Sequence, residues 1–201
     1  MSRPRRSDHT RDALIQTGIE QLSTHGYHGT GIKQILDELN VPKGSFYNFF
    51  ASKEAFVAEA ITTYSDEMQK QLHDFVTGPG KHLSPKQQLQ AISEFSLKKA
   101  AKNEFKQSCL IAAMSTEIAS ESLACREQLK IATKKWLGFF RNLIANGQEV
   151  GEFRNDVSPE ELADIYWAAW EGSRIKLKMS NKIKPAQDAM ALMLNVLMAP
   201  Q

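Results

Sequence analysis

The chain has 201 residues, 42% apolar and 24% charged, a composition that is typical of folded globular proteins and excludes wholesale disorder. Lysine and arginine number 25 against 23 acidic residues, and the net charge of +2 is too small for a protein that holds DNA by bulk charge alone. No run approaches the roughly 18 consecutive apolar residues of a membrane span, and no apolar segment follows the basic N-terminus as in a secretory signal. We therefore expect a cytoplasmic protein without a membrane partner, in which Cys109 and Cys125 are thiols.

The excess positive charge lies at the start of the chain. Residues 1–11 contain four arginines and one aspartate, whereas residues 54–201 contain 18 basic and 18 acidic residues. The sequence therefore predicts a basic arm over residues 1–7. Such an arm either reaches toward phosphates or is a solvated tail, and its charge alone leaves both alternatives open.

Apolar residues recur at helical spacing along the chain, and no segment shows the two-residue alternation of a strand. The first helix should end near Gly26, Thr30 is expected to cap the second, and Pro42 cannot continue it. A third, very short helix is predicted over residues 43–49, and Ser52 should cap a long fourth helix. Three helices with a tight turn between the second and third are the helix-turn-helix layout, in which the third helix enters the major groove of DNA.

The rest of the chain is predicted to be helical as well. A break is predicted at residues 77–80, followed by a helix from Pro85 and a loop over 103–107. A helix over 109–120 and a long helix that ends at about 149 come next, and the last two helices are predicted over 158–180 and 185–198. The start at Ser158 is a capping box with proline at the first helical position. The fold class is therefore all-α with about nine helices: an N-terminal helix-turn-helix domain over residues 8–60 and a C-terminal helical domain over residues 61–201.

The third helix has two different faces. Three phenylalanines at helical spacing, Phe46, Phe49 and Phe50, can pack inward. The residues then expected to face outward are Lys43, Gly44, Tyr47 and Asn48. They combine a cation, a position that permits close approach, and groups that can bond phosphates or base edges, while Ser45 and Lys53 lie in first helical turns that attract phosphate. The alternative is a small helical protein with a short connector and an aromatic core.

One segment of the N-terminal half contains, in order, Gly26-Tyr27, Thr30-Gly31-Ile32 and Val41-Pro42-Lys43-Gly44-Ser45-Phe46-Tyr47-Asn48-Phe49-Phe50, and it extends to Phe56. This segment resembles the TetR/AcrR repressor family. The resemblance implies a homodimer that binds a palindromic operator and releases it when a ligand enters the second domain. It further implies that the residue at Thr30 caps the second helix and contacts phosphate. The residue at Lys53 would also contact phosphate. The positions of Lys43, Ser45, Tyr47 and Asn48 would contact the operator. Asn48 departs from the histidine often found there, which leaves the operator preference open.

The segment over residues 151–163 also resembles this family, just before its penultimate helix. The resemblance implies that the last two helices, about 158–180 and 185–198, form a four-helix bundle with a second subunit. Ala168 and Gly172 would allow close packing around Trp167. The alternative for these helices is ordinary intrachain core.

Cys109 lies at the predicted start of a helix, where the backbone favours the reactive thiolate. The residues around it resemble the NemR-like, electrophile-sensing subgroup of the family, and Lys178 could supply a nearby cation. The alternative is a buried structural thiol and an inducer that binds without a covalent bond in an apolar pocket. The candidate pocket residues are Phe95, Phe105, Met114, Phe140, Trp167 and Trp170, which could equally be core.

No sequence signal of catalysis stands out. The five histidines show no metal-ligand spacing, and there is neither a glycine-rich phosphate loop nor a nucleophile elbow. We therefore expect neither an enzyme nor a cofactor or metal. The expected partners are double-stranded operator DNA, a second copy of the chain, and a small-molecule or electrophilic inducer.

Overall fold

The computed structural model describes the backbone of residues 6–201 and side chains from residue 9 onward. The predicted basic arm over residues 1–7 lies outside these residues, except that the first helix begins at Arg6. The described residues contain nine α-helices and no strand, which confirms the all-α prediction. They are α1 Arg6–Gly29, α2 Ile32–Glu38, α3 Lys43–Phe49, α4 Lys53–Thr77, α5 Pro85–Lys102, α6 Leu110–Glu117, α7 Leu123–Glu149, α8 Pro159–Ser180 and α9 Lys184–Leu192.

The described chain divides into two compact units. The first contains the residues up to 67 together with residues 109–132, so α6 and the start of α7 belong with the N-terminal helices. Its core is formed by fully buried side chains of α1, α3, α4 and α6, among them Leu22, Phe46, Phe56 and Leu110. The predicted boundary after residue 60 falls inside α4, which continues without interruption to Thr77.

The second unit contains residues 68–108 and 133–201. Its core is aromatic: the rings of Trp136 and Trp167 meet edge to face with centroids 5.0 Å apart, and Phe140 lies 5.1 Å from Tyr166. These contacts hold the second half of α7 against α8. The predicted capping box at Ser158 is present, since its hydroxyl accepts from the Glu161 amide and the Glu161 carboxylate accepts from the Ser158 amide.

The last helix differs from its prediction. The α-helix ends at Leu192 and continues as one π-helical stretch over Met193–Leu197, in which the Met198 amide donates to the Met193 carbonyl at 2.9 Å. The wider turn rotates the following residues about the helix axis. Met198 is therefore buried, whereas Leu197 is half exposed instead of lying with Met190 and Leu194 in the core.

Candidate DNA-binding surface and sensor segment

The orientation of α3 is fixed by one buried aromatic residue. Phe46 is completely buried, and its ring centroid lies 5.2 Å from that of Phe50 and 5.4 Å from that of Phe56 on α4. A helix of seven residues forms too few hydrogen bonds to be stable alone, so this packing must hold it in place. Phe49 is only half-buried, so the inward prediction holds fully for two of the three phenylalanines.

The opposite face of α3 is open to solvent as predicted. Lys43, Gly44 and Asn48 are exposed, Ser45 is half-buried, and Tyr47 exposes 56% of its surface although it touches the Phe46 ring edge to face. A Cβ atom placed on Gly44 would meet no atom of the described residues within 4 Å. The fold itself therefore leaves this position free to carry a side chain.

A break in α1 connects the helix-turn-helix segment to α6. Gly26 has φ 73° and ψ −177°, a backbone conformation that residues other than glycine rarely adopt. The break frees the amides of Tyr27 and His28, and both donate to Oε2 of Glu117, at 2.8 and 3.3 Å. Glu117 is the last residue of α6, so one carboxylate caps the final turn of α1. The sequence prediction missed this residue, because the contact joins positions 90 residues apart.

Thr30 does not cap α2, and that prediction was wrong. The cap residue is Gly31, whose amide donates to the Gln34 side chain at 2.8 Å. Thr30 is 2% exposed, and its hydroxyl donates to the Gly26 carbonyl at 2.7 Å. The break at Gly26 supplies that acceptor, so Thr30 holds the turn between α1 and α2 together from inside.

Lys53 is bonded within the chain. Its Nζ donates to the Tyr27 carbonyl at 2.7 Å and lies 4.1 Å from the centre of the Tyr27 ring, and burial lowers the pKa of this lysine. The Tyr27 hydroxyl donates to Glu54 at 3.1 Å, and burial together with this carboxylate raises the pKa of Tyr27 to about 12. The start of α4 is thereby tied to the end of α1.

Cys109 is the cap residue of α6 and is buried. The Tyr64 hydroxyl lies 3.9 Å from its sulfur, and Ser108, which precedes it in the chain, accepts a hydrogen bond from Lys178 Nζ at 2.9 Å. Cys125 is also buried, in contact with the Glu54 carbonyl at 3.5 Å, and burial raises the pKa of its thiol. Cys109 is thus the residue that precedes α6, whereas Cys125 is the third residue of α7.

The predicted pocket residues lie in different surroundings. Phe140, Trp167 and Trp170 are buried in the aromatic core of the second unit, Phe95 is 67% exposed, Phe105 is half-buried, and Met114 is buried in the first unit. A groove of about 160 Å³ between α5 and α9 is lined by none of them. Trp167, which the sequence analysis places near the seam with a second subunit, is buried, and its ring packs on Trp136 of the same chain.

The described part of the chain contains neither a candidate metal-binding cluster nor a candidate membrane-spanning helix. No three histidine, cysteine or acidic side chains lie close enough together to hold a metal ion. None of its helices is long and apolar enough to cross a membrane.

Comparison with known proteins identifies the class of regulator. Residues 14–60 match the family model "Bacterial regulatory proteins, tetR family", and residues 85–193, more than half of the chain, match "Tetracyclin repressor-like, C-terminal domain". The chain belongs to the TetR family. It is a DNA-binding transcriptional repressor of that family, whose members bind operators as dimers and respond to small-molecule ligands.

Three TetR-family relatives match most of the chain. The repressor DhaR of Mycobacterium sp. (strain GP1) is 29% identical over 94% of this chain and 92% of its own length, and the regulator AcuR of Cereibacter sphaeroides is 30% identical over 86% and 78%. The repressor NemR of Escherichia coli is 27% identical over 95% of each chain. The crystal structure of its reduced form covers 94% of this chain and 97% of its own, with a TM-score of 0.82 at 24% identity, which shows the shared fold.

Proposed function

We propose that two copies of the chain bind a palindromic operator through the exposed face of α3. The observation that carries this proposal is a seven-residue helix anchored by one buried phenylalanine, with Lys43, Gly44, Tyr47 and Asn48 facing solvent. Lys43 would neutralise a phosphate, while Tyr47 and Asn48 can bond phosphates or base edges and Gly44 lets the backbone approach. Ser45 would contact the backbone of the operator beside them.

Lys53 and Thr30 have a supporting role in this proposal. Lys53 is held by the Tyr27 carbonyl and Thr30 by the Gly26 carbonyl, so both fix the path of the chain between α1, α2 and α4. The charge of Lys53 still adds to the positive potential that phosphates meet. The residues that bond the operator directly are therefore expected on α3, and the functional DNA-binding segment remains residues 8–60.

The Tyr47→Ala variant tests this surface directly. Because Tyr47 is largely exposed, its removal should leave the unfolding temperature and the dimer unchanged. Operator affinity should fall by about 1–3 kcal/mol for each half-site contact that is lost. A mobility-shift titration on a fragment selected from genomic DNA measures the change, and an unchanged affinity would refute the placement of α3 in the groove.

Dimerisation would use α8 and α9. Apolar or small residues recur along α8 at spacings of three and four: Ile165, Ala168, Ile175 and Met179 are exposed, and Gly172 is half-buried. On the last helix Leu192, Val196 and Leu197 are exposed as well. Such a stripe is the pattern of a helix-bundle seam, and two dimer-related copies of α3 could then lie the roughly 34–36 Å apart that one turn of DNA requires.

We further propose that modification of Cys109 releases the operator. Because Cys109 is buried at the start of α6, a group added to its sulfur would displace this end of the helix. With an activated alkene, the sulfur bonds one alkene carbon as the C=C π bond breaks. The thiol proton passes to solvent, and the neighbouring carbon takes up a proton from water. The eight-residue helix ends at Glu117, whose carboxylate holds the last turn of α1, so the displacement has a direct route to the DNA-binding helices.

A Cys109→Ser variant separates this mechanism from a non-covalent one. Wild-type protein treated with N-ethylmaleimide should lose operator binding, Cys109→Ser should keep it, and Cys125→Ser, as the matched control, should respond like wild type. A full response of Cys109→Ser would mean that the inducer acts without this thiol. In either case the protein acts on DNA in the cytoplasm and performs no catalysis in this proposal.

A further inference from the structure

The C-terminal half of α8 carries positive charges that no carboxylate neutralises within the described chain. Arg174 and Lys178 are one helical turn apart and therefore project from the same face. Like charges at this spacing destabilise a helix, and the exposed lysines Lys99, Lys102, Lys176 and Lys182 add to the local potential. The neighbouring acids are engaged elsewhere: Glu94 pairs with Lys98, Glu104 with Lys106 and Asp188 with Lys184.

Both cations are held in place by serine hydroxyls from another segment of the same unit. Arg174 Nη1 donates to Ser96 Oγ on α5 at 2.9 Å, and Lys178 Nζ donates to Ser108 Oγ at 2.9 Å. The guanidinium also stacks over the Trp170 ring, 5.6 Å from its centre. These two contacts restrict the Arg174 side chain before any ligand binds, and the bond to Ser108 favours one orientation of Lys178.

One edge of the Arg174 guanidinium lacks an acceptor. Its Nε is buried and has no hydrogen-bond partner among the described residues. A buried N–H without an acceptor costs free energy, and native proteins rarely leave one unsatisfied. Because Nη1 is bonded to Ser96, the edge formed by Nε and Nη2 remains. Two coplanar oxygens of a carboxylate or phosphate fit this edge once the side chains that cover Nε move aside.

Glu171 is the carboxyl group that could compete for this arginine. It lies one turn before Arg174 on α8, yet it forms no ion pair with it. Burial raises the pKa of Glu171, which disfavours its charged form, and only a hydrogen bond from Trp167 opposes this effect. The positive charge of Arg174 is therefore left to an external partner.

We propose that Arg174 and Lys178, positioned by Ser96 and Ser108, bind the oxyanion of a small molecule, either a carboxylate or a phosphate group. Arg174 would bond two oxygens side by side, and Lys178 would supply a second charge one turn away. The further step, that this molecule is an inducer, rests on the proposed function as an operator-binding repressor. The binding itself does not depend on DNA.

Calorimetry on the full-length protein without DNA tests the site. The probes are sodium benzoate, sodium acetate and inorganic phosphate, each measured at constant ionic strength against sodium chloride. At least one oxyanion should bind, and the comparison of the carboxylate and phosphate arms identifies which group the site prefers. Arg174→Gln should weaken that binding about tenfold or more, because it removes a charged two-bond contact.

Two further variants make the test specific. Arg174→Lys keeps the charge but loses the planar fork, so it should bind clearly more weakly than wild type. Arg141→Gln removes an exposed arginine from α7, where it lies 3.7 Å from Glu160, and should bind like wild type. Lys178→Met provides a second loss of binding if Arg174→Gln unfolds, which circular dichroism would reveal.

Several results would overturn the proposal. One is that no oxyanion binds above the chloride control. The others are that Arg174→Lys binds the oxyanion as tightly as wild type, or that Arg141→Gln loses as much oxyanion affinity as Arg174→Gln. Oxyanion binding that leaves a protein–operator complex intact would overturn the inducer role and keep the site. A protein that binds the oxyanion but no genomic fragment would instead refute the proposed function.

Discussion

The fold does not require a glycine at position 44, whereas a DNA duplex bound against α3 would. The residue lies in the first turn of α3, and a Cβ atom there would meet no described residue within 4 Å. No contact among the described residues therefore explains the absence of a side chain. A duplex lying against α3 would explain it, because the backbone could then approach a phosphate more closely than any other residue permits.

This reasoning predicts opposite effects of a Gly44→Ala substitution on stability and on operator binding. Alanine favours the helix, so the free energy of unfolding should rise by about 0.5–1 kcal/mol. Operator affinity should fall, because the methyl group occupies the space that DNA would fill. Thermal unfolding and mobility-shift titration of the same preparation measure both quantities. Higher stability with unchanged affinity would place the duplex away from Gly44.

At the level of single residues, the sequence predicted the exposed face of α3 but not the network behind it. The outward positions follow from the spacing of Phe46 and Phe50, because a seven-residue helix has room for one buried face. The role of Thr30 could not be predicted in the same way. Its hydroxyl bonds the Gly26 carbonyl only because the backbone at Gly26 leaves the helical conformation, which the local pattern does not encode.

At the level of helices, α6 and α1 are joined through one carboxylate. Glu117 accepts from two amides that the break in α1 would otherwise leave unpaired. A Cβ at position 26 would lie 2.2 Å from Glu117 Oε1, so the carboxylate fits only because residue 26 is glycine. The end of α1 leads directly into α2, and its position therefore influences the presentation of α3.

We predict that Glu117→Ala weakens operator binding as well as stability. The substitution leaves the Tyr27 and His28 amides without their acceptor, which should cost about 1–2 kcal/mol of unfolding free energy. Glu117→Gln keeps a carbonyl oxygen at this position and should restore part of both losses. Operator affinity, measured where each variant is fully folded, reports on the orientation of the DNA-binding helices.

The control for Glu117 is Glu127→Ala, which removes an exposed carboxylate paired with Lys130 at 2.8 Å. Exposed pairs of this kind contribute little, so stability and affinity should both stay near the wild-type values. If Glu117→Ala lost stability but bound the operator as tightly as wild type, α6 would support the fold without orienting α3.

Helix ends were predicted well where a local signal marks them and poorly where tertiary contacts decide. Ser158 and Pro85 mark the starts of α8 and α5 within a residue, because side-chain capping and proline geometry are properties of a few neighbouring residues. The π-helical stretch after Leu192 has no such signal. It is consistent with Met198 packing in the core, and this depends on residues distant in sequence.

For the whole molecule, the π-helical stretch decides which apolar side chains of the last helix face solvent. It buries Met198 and turns Leu197 outward, beside the exposed Leu192 and Val196. A monomer in water gains nothing from exposing these side chains together with the apolar stripe of α8, since burying such surface is worth about 25 cal/mol per Å². A second copy of the same surface would cover them, and palindromic DNA requires that twofold arrangement.

We therefore predict that Ile175→Glu produces a monomer that does not bind the operator. Ile175 lies near the C-terminal end of the α8 stripe, and a charged side chain desolvated among the apolar residues of the seam would oppose association by several kcal/mol. Its helical fold should persist, because the side chain is exposed within one chain. Light scattering coupled to size-exclusion chromatography measures the mass, and a mobility shift measures binding.

The matched control is Ile131→Glu, which places the same charge at an exposed isoleucine of α7 outside the proposed seam. This variant should stay dimeric and bind DNA with the wild-type dependence on salt concentration. If Ile175→Glu stayed dimeric, the contact between the subunits would have to lie outside α8. A monomeric Ile175→Glu that still protected a full palindrome would show that each chain reads its half-site alone, which a single seven-residue helix has too few contacts to do.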